Sequence, residues 1–289
     1  MSKILVTGAS GFIGKRLLEM LKQHNDNEVV ESTIDVSDAR AWEALPACDT
    51  VIHLAAMTFV PASWENPVSF FQTNAAGTLH ACEYCRKQKA RLIVTSAYLY
   101  GIPSSLPIAE DAPIHPNNPY AFSKKTAEDI CGFYNEFYKV PIVIVRPFNI
   151  YGYGQKDMFL IPSIIKQLKA GGAIYIKDKT PRRDYIYVDD VVAMMLQLLN
   201  KPVSFNIFNI GSGESHSPED IIGLMQEIAG TDLPVFSEEV VRQNEIPDTI
   251  ADMSKAKELL NWEPSFTIRK GLEDYLSKEN MFAKPQNDR

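Results

Sequence analysis

Three glycines near the start of the chain lie between a short apolar run and an amphipathic run. Lys3–Thr7 is apolar and β-branched, which favours a strand, and Phe12–Gln23 has the apolar period of a helix. Gly8, Gly11 and Gly14 allow a tight turn and a close approach of the backbone to a pyrophosphate, which the N-terminus of a helix attracts. The spacing is G-x-x-G-x-x-G rather than G-x-G-x-x-G. A plain strand–helix turn is the alternative, but such a turn rarely needs three glycines, so we predict a dinucleotide site.

Strands and helices alternate through the first half of the chain. The predicted strands after the first are Glu28–Thr33, Thr50–Leu54, Arg91–Thr95 and Pro141–Arg146, and the predicted helices are Val68–Lys87 and Pro119–Tyr138. This alternation predicts βαβ units and therefore an α/β fold with a Rossmann-like, doubly wound parallel sheet. A ligand is then expected at the carboxyl ends of the strands.

The second half has shorter elements, punctuated by proline and glycine. Helical patterns cover Ile161–Ala170, Val188–Leu199, Pro218–Ala229 and Ser254–Leu260, and Asn206–Ile210 is expected to return to the sheet. We expect a dinucleotide-binding Rossmann domain over 1–149, with a returning segment near 183–211, and a smaller substrate lobe over most of 150–289. Residues 280–289 are expected to be a frayed tail.

Composition excludes several classes of partner. A net charge of −7 and a pI near 5.3 argue against nucleic acid or an anionic membrane as the main partner. The sequence has no apolar run of about 18 residues and no signal-peptide pattern. Four cysteines suggest a reducing compartment, and Cys82 and Cys85 have the spacing of a buried helix face rather than of a metal site. We therefore expect a cytoplasmic protein without a bound metal.

Tyr120 and Lys124 are the strongest candidates for chemistry. Residues four apart share one face of a helix, so the ammonium can lie beside the phenol. There it would lower the pKa of the phenol from about 10 and make Tyr120 a proton shuttle near neutral pH. The spacing also occurs by chance in solvated helices. Ser96, at the end of a predicted strand, could bind the same ligand or simply bond to local backbone.

Further motifs extend along most of the chain. They are Asp35-Val36, His53-Leu54-Ala55-Ala56, Asn74, Arg146-Pro147-Phe148-Asn149, the run from Arg183 to Asp189, Asn209-Ile210-Gly211 and Asn261-Trp262-Glu263-Pro264. Together with the glycines, Ser96, Tyr120 and Lys124, they resemble the extended short-chain dehydrogenase/reductase family of nucleotide-sugar enzymes, of the NAD-dependent epimerase/dehydratase type. The resemblance covers the chain from about Lys3 to Pro264.

The resemblance implies a nicotinamide cofactor, NAD or NADP, and a nucleotide-sugar substrate. It implies that Tyr120 exchanges a proton with the sugar oxygen, that Ser96 hydrogen-bonds that oxygen, and that Lys124 holds the cofactor ribose and lowers the pKa of the tyrosine. The implied cofactor-binding residues are Gly8, Gly11, Phe12, Ile13, Gly14, Asp35, Val36, Leu54, Ala55, Ala56, Asn74, Tyr120 and Lys124.

On the substrate side, the resemblance implies Asn149, Arg183, Arg242 and Glu245 besides Ser96. The two arginines match positions that meet the diphosphate, where a guanidinium fork suits phosphate oxygens. Glu245 matches a carboxylate that accepts the ribose hydroxyls in some members. The alternative for these charges is a solvated surface.

Departures from the family pattern narrow the reaction. Ala97 and Tyr98 follow Ser96 where 4,6-dehydratases carry an Asp-Glu pair, which argues against dehydration. Tyr187 replaces the usual histidine. The remaining readings are a 4-ketoreductase or a 4-epimerase acting on a nucleotide sugar. A nucleotide-binding regulator whose catalysis has lapsed is the alternative from another class.

Cofactor preference and assembly stay open at this level. The region after the second predicted strand is short, and Glu31 there would repel a 2′-phosphate and favour NAD, whereas Lys15, Arg16 or Arg40 would favour NADP. Helices around Val68–Lys87 and Ile130–Tyr138 would pair across a homodimer, as in related enzymes, unless their apolar positions only pack on the sheet.

Overall fold

The computed structural model describes residues 2–24, 27–201, 204–239 and 245–281. Predicted Arg242 and most of the predicted frayed tail lie outside the described residues. The strands in chain order are β1 (Lys3–Thr7), β2 (Glu28–Ser32), β3 (Thr50–His53), β4 (Arg91–Thr95), β5 (Ile142–Pro147), β6 (Asn149–Tyr151), β7 (Ile174–Ile176), β8 (Arg183–Tyr187), β9 (Phe205–Ile210), β10 (Ser215–His216) and β11 (Val235–Ser237).

Helices connect most of these strands. They are α1 (Phe12–His24), α2 (Ala39–Glu43), α3 (Val60–Glu65), α4 (Pro67–Phe70), a π-helical turn (Phe71–Ala76), α5 (Gly77–Gln88), α6 (Pro119–Tyr138), α7 (Leu160–Ala170), α8 (Val188–Leu199), α9 (Pro218–Ala229), α10 (Ser254–Leu260) and α11 (Ile268–Lys278). Asn118 caps α6 by accepting a hydrogen bond from the Ala121 amide, and Pro119 occupies the first turn, where its missing N–H costs nothing.

The main sheet has six parallel strands in the order β2-β1-β3-β4-β5-β9. The predicted α/β class with a Rossmann-like parallel sheet is therefore confirmed. The order of connection reverses at β1, which has β2 on one side and β3 on the other. A crevice opens at such a switch point, between the loops that leave β1 and β3 at their carboxyl ends.

Apolar layers cover both faces of this sheet. One face packs against α1, α8 and α10 through residues such as Leu17, Met194 and Leu260, all buried. The other face packs against α5 and α6, and there Cys82 and Cys85 are fully buried as expected from their helical spacing. Burial on both faces explains why these strands are continuous apolar runs rather than alternating ones.

The second half adds two small sheets, one of β10, β8 and β6 and one of β11 and β7. Their own core includes Ile164, Ile221 and Leu272 from α7, α9 and α11. Only Phe148 separates β6 from β5, so the three-stranded sheet begins where β5 leaves the main sheet. In the part of the chain that the structure describes, no helix is long and apolar enough to cross a membrane.

Candidate active site

The glycine loop between β1 and α1 is closely packed against the loop that follows β3. Gly8 has φ of +67°, and a Cβ atom on it would lie 2.7 Å from the backbone nitrogen of Ala55. A Cβ atom on Gly14 would lie 2.2 Å from the carbonyl oxygen of Gly8. Neither position accepts a side chain, whereas Gly11 is exposed at the start of α1. The packing therefore leaves the N-terminus of α1, with its unpaired N–H groups, open to an anion.

Other residues predicted to hold a cofactor border the same crevice or follow β2. Five half-buried residues flank it, at the start of α1 and after β3, and they are Phe12, Ile13, Leu54, Ala55 and Ala56. Asp35 is exposed, and its carboxylate accepts hydrogen bonds from the backbone and hydroxyl of Ser37 at 2.9 and 2.7 Å, which lower its pKa. Val36 is buried against Gly77.

His53, at the end of β3, has a structural role beside this crevice. Its Nδ1 lies 2.8 Å from the hydroxyl of Thr7 at the end of β1. Burial lowers the pKa of His53 to about 3, so the imidazole is neutral at physiological pH. The pair joins the two strand ends on either side of the switch point.

Ser96 and Lys124 line one small cavity where β4 ends beside α6, and Tyr120 lies one turn before Lys124 on that helix. Lys124 is 3% exposed, and its Nζ donates to the carbonyl oxygen of Thr95 at 2.5 Å. Burial lowers the pKa of Lys124 to about 8, although the charge of Glu128 opposes the shift. Ser96 is buried, and among the described residues its hydroxyl has no hydrogen-bond partner. An unpartnered buried hydroxyl is rare, so this one is available to a ligand oxygen.

The pKa of Tyr120 departs from the expectation. Burial raises it, whereas the sequence predicts that Lys124 lowers it. That prediction is wrong for this structure, because desolvation dominates and the ammonium of Lys124 is directed at the Thr95 carbonyl. The Tyr120 ring is half-buried and lies edge-on to Phe70, with ring centroids 6.3 Å apart.

Asn74 lies in the π-helical turn and ties two parts of the site together. Its Oδ1 accepts from the Met57 amide at 2.9 Å, and its Nδ2 donates to the Met57 carbonyl at 3.0 Å and to the Ser123 hydroxyl at 2.9 Å. Ser123 precedes Lys124 and in turn donates to the Tyr120 carbonyl at 2.7 Å. Both amide hydrogens of Asn74 are thus used within the protein. Any contact with a cofactor would use the second lone pair of its Oδ1.

A buried ion pair holds α6 against β5. Arg146 and Glu128 are 2% and 6% exposed at their side chains, and the guanidinium donates to both carboxylate oxygens at 2.9 and 2.7 Å. Arg146 also donates to the Tyr100 hydroxyl and the Glu110 carbonyl, each at 2.9 Å. Glu128 is one turn after Lys124, so the pair fixes the helix that carries Tyr120 and Lys124. Sequence reasoning assigned Arg146 no such role, although a glutamate four residues after Lys124 on a buried helix face was a usable signal.

The predicted substrate residues lie on the three-stranded sheet and the segment that follows β11. Asn149 donates to the Asp184 carbonyl at 3.3 Å. Arg183 donates through Nη1 to the carbonyls of Arg182 and Ile246 at 2.7 and 2.6 Å, and through Nη2 to Glu245. Two predicted residues therefore pair with each other. Within the described ranges, the Nε–H of Arg183 has no acceptor, which leaves one edge of the fork for a ligand.

Two other residues named from the sequence have internal partners. Arg16 forms a bidentate pair with Asp189 at 2.6 and 2.7 Å and is thereby committed away from a 2′-phosphate. Tyr187 is buried, donates to Asp274 and packs on Phe266 with centroids 4.6 Å apart. It therefore serves the packing of α11 against β8.

Comparison with known proteins identifies the family. Residues 4–211 match the NAD dependent epimerase/dehydratase family. The chain is 32% identical over 96% of its length to GDP-6-deoxy-D-talose 4-dehydrogenase of Aggregatibacter actinomycetemcomitans, of which it covers 98%. It is 34% identical over 97% of its length to UDP-glucuronate 4-epimerase of Thermodesulfobacterium geofontis, again covering 98%. The solved structure of RMD from Pseudomonas aeruginosa with NADPH superposes with a TM-score of 0.89 at 29% identity, over 96% of this chain and 98% of that one.

Proposed function

The chain belongs to the NAD dependent epimerase/dehydratase family, and from that premise we propose that it oxidises or reduces C4 of a hexose carried on a nucleoside diphosphate. The observation that carries the proposal is the buried hydroxyl of Ser96, which has no partner among the described residues. Leaving such a group unpaired costs about 1–3 kcal/mol, and a sugar oxygen would satisfy it. Tyr120 and Lys124 lie on the adjacent face of α6, where proton transfer to that oxygen would occur.

The chain has a suitable place for a nicotinamide dinucleotide. The open N-terminus of α1 would hold the pyrophosphate, and Lys124 would hold a ribose hydroxyl. When bound, the nicotinamide supplies the acceptor or donor of a hydride. Of the cations that would favour a 2′-phosphate, Arg16 is committed to Asp189, which supports NAD over NADP.

The proton chemistry belongs to Tyr120, with Ser96 orienting the same oxygen. Because burial raises the pKa of Tyr120, its phenol holds its proton at rest. A protonated phenol is ready to donate to the oxygen of a 4-keto sugar as that carbonyl is reduced. This supports ketoreduction as the first reaction to test. An epimerase would need the same phenol to accept and then return the proton.

The nucleotide would extend from this oxygen toward Arg183. The guanidinium is held in place by Glu245 and two carbonyls, and its remaining edge suits a phosphate oxygen. Asn149, on the neighbouring strand, would contact the sugar or the diphosphate. The pairing between Glu245 and Arg183 supports a role for Glu245 in orienting the arginine.

We also propose a homodimer formed through α5 and α6. The outer surface of α6 exposes Phe122, Phe133 and Phe137 to between 50% and 62%, an unusual amount of aromatic area for a surface helix. Leu79 adds to this surface from α5. Sedimentation of the purified chain should give twice the mass of one chain, and a monomer mass would contradict the proposal.

A cytoplasmic location is part of the same proposal. All four cysteines are buried free thiols, which suits a reducing compartment. Fractionation of cells that express the chain tests this directly, and recovery from an oxidising compartment would contradict it.

The direct test of function is turnover. Purified protein is mixed with UDP-, GDP- and dTDP-linked sugars, either 4-keto sugars with NADH or NADPH or gluco and galacto epimers without added reductant. We expect oxidation of the reduced cofactor or interconversion of the epimers with at least one nucleotide. No change with any of them would sink the proposal.

A further inference from the structure

Tyr98 lies near residues from both ends of the proposed substrate site. It follows Ser96 by two residues, beyond the carboxyl end of β4. Its ring is half-buried and lies edge-on to Phe148, with centroids 5.2 Å apart, and edge-on to Tyr100 at 5.5 Å. Phe148 in turn precedes Asn149, the first residue of β6. The side chain therefore contacts the residue that joins the main sheet to the sheet that carries Asn149 and Arg183.

Tyr98 presents an uncharged aromatic surface, which we call the wall of the site. Its hydroxyl donates to the Gly101 carbonyl at 2.6 Å, which fixes the ring and leaves only an acceptor oxygen toward a ligand. Burial raises the pKa of the phenol, although the nearby charge of Arg183 opposes the shift. Tyr98 therefore offers an uncharged aromatic surface at physiological pH, close to Arg183.

Three cations of the site, among the residues that the structure describes, have carboxylate or carbonyl partners of their own. Lys124 donates to Thr95, Arg146 is paired with Glu128, and Arg183 is paired with Glu245. Because the free edge of Arg183 is assigned to the diphosphate, a carboxylate on the sugar beside Tyr98 would lose its water without gaining a cation of its own. Burying a charge in that way is costly, whereas an apolar or hydroxylated carbon is not penalised.

We propose that Tyr98 contacts the hexose and makes the site selective for a neutral or 6-deoxy hexose over a uronic acid. The inference rests on the proposed function, because it assumes that the sugar lies between Ser96 and Arg183. A hexose in that position would lie beside the Tyr98 ring. The ring would pack against the sugar as apolar and aromatic surfaces do in other small-molecule sites.

The test is calorimetric binding of two matched pairs to the full chain, UDP-glucose with UDP-glucuronate and GDP-mannose with GDP-mannuronate. We expect the wild type to bind the neutral member of at least one pair about tenfold or more tightly than the acid. Tyr98→Ala should weaken binding of the neutral sugar about tenfold and narrow the preference, because the wall is lost. Tyr98→Phe, which keeps the ring, should restore most of that preference, and thermal unfolding of both variants reports any effect on folding.

Each outcome decides the inference. Equal binding, preference for the acid, binding of neither pair, or an unchanged preference in Tyr98→Ala would overturn it. Turnover is scored separately. Selective binding without turnover of any sugar nucleotide would remove the proposed function and leave Tyr98 as a selective contact. Turnover with a selectivity that does not change when Tyr98 is replaced would support the proposed function and overturn the inference about Tyr98.

Discussion

The two sides of the site satisfy their polar groups in different ways. One side is proposed to be catalytic and is defined by Ser96, Tyr120 and Lys124; on this catalytic side, the backbone of the main sheet accepts a hydrogen bond from Lys124, and the Ser96 hydroxyl has no partner among the described residues. On the nucleotide side, defined by Asn149, Arg183 and Glu245, the side chains bond to one another or to carbonyls. The catalytic side thus has a polar group that a ligand would satisfy, whereas the side chains of the nucleotide side are held in place by bonds within the protein. Substitutions should therefore act on turnover and folding on the first side, and on affinity on the second.

The largest expected effect is on turnover, in Tyr120→Phe. The ring and its contact with Phe70 remain, but the proton is gone, so turnover should fall about 100- to 10,000-fold. Cofactor affinity, followed by fluorescence titration, should stay within about twofold, because the crevice is intact. The matched control is Tyr134→Phe on the same helix, where the hydroxyl donates to Glu83. A lapsed regulator would show no difference between the two variants.

The next largest effect should be on the free energy of unfolding, through the buried pair of Arg146 and Glu128. Glu128→Gln leaves the buried charge of Arg146 uncompensated and should lower the free energy of unfolding by roughly 3–5 kcal/mol. Asp129 is the next residue after Glu128 on α6 and forms an exposed pair with Lys125. Asp129→Asn should therefore change the free energy of unfolding by no more than about 0.5 kcal/mol. Urea unfolding of both variants measures the contrast. Similar values for the two would show that α6 is not held by the buried pair.

The buried charge of Lys124, which the proposed function needs, should lower the free energy of unfolding. Burial lowers its pKa from 10.5 to about 8, so the unfolded chain binds more protons between those pH values and the stability of the wild type rises with pH there. The difference corresponds to roughly 3 kcal/mol. Lys124→Met should therefore be inactive yet about 3 kcal/mol more stable than the wild type below pH 8.

That gain should shrink as pH increases and vanish near pH 10.5. Urea unfolding of both proteins at several pH values is the measurement. A variant less stable than the wild type at pH 7 would show that the ammonium helps to hold the fold together.

On the nucleotide side the expected effect is smaller and concerns affinity. Arg183→Lys keeps the charge but loses the planar fork, so KM for the nucleotide sugar should rise about tenfold while kcat changes less. The control is Arg182→Lys, since Arg182 bonds to Ser215 and Asp220 instead. An equal rise in KM for both would mean that the effect does not come from the fork of Arg183 in particular, and no rise in Arg183→Lys would mean that position 183 contributes charge alone. A fall in kcat without a rise in KM would place Arg183 on the catalytic side.

The sequence predicted the catalytic side better than the nucleotide side, for a physical reason. Buried parallel strands and long capped helices have strong periodic patterns, so β1, β4, α6 and α8 begin and end where the sequence indicates. Short two- and three-residue strands such as β7 and β10 have no such pattern, because their pairing depends on distant partners. The helix α11 was not predicted either.

Side-chain contacts were the other feature of the structure that the sequence did not predict. The π-helical turn around Asn74 interrupts a segment predicted as one continuous helix, and its amide joins Met57 to Ser123 across the fold. The direction of the Tyr120 pKa shift depends on burial and on where the Lys124 ammonium points, neither of which the spacing of two residues reveals.

The central claim is that hydride leaves or reaches C4 of the sugar while Tyr120 moves the proton. The most direct measurement uses a nucleotide hexose carrying deuterium at C4, incubated with the protein and oxidised cofactor, followed by mass spectrometry of the cofactor and the sugar. The account predicts deuterium on the nicotinamide ring in the wild type, at least transiently, and much slower transfer in Tyr120→Phe. A cofactor that binds but never acquires deuterium while the sugar is turned over would contradict the account.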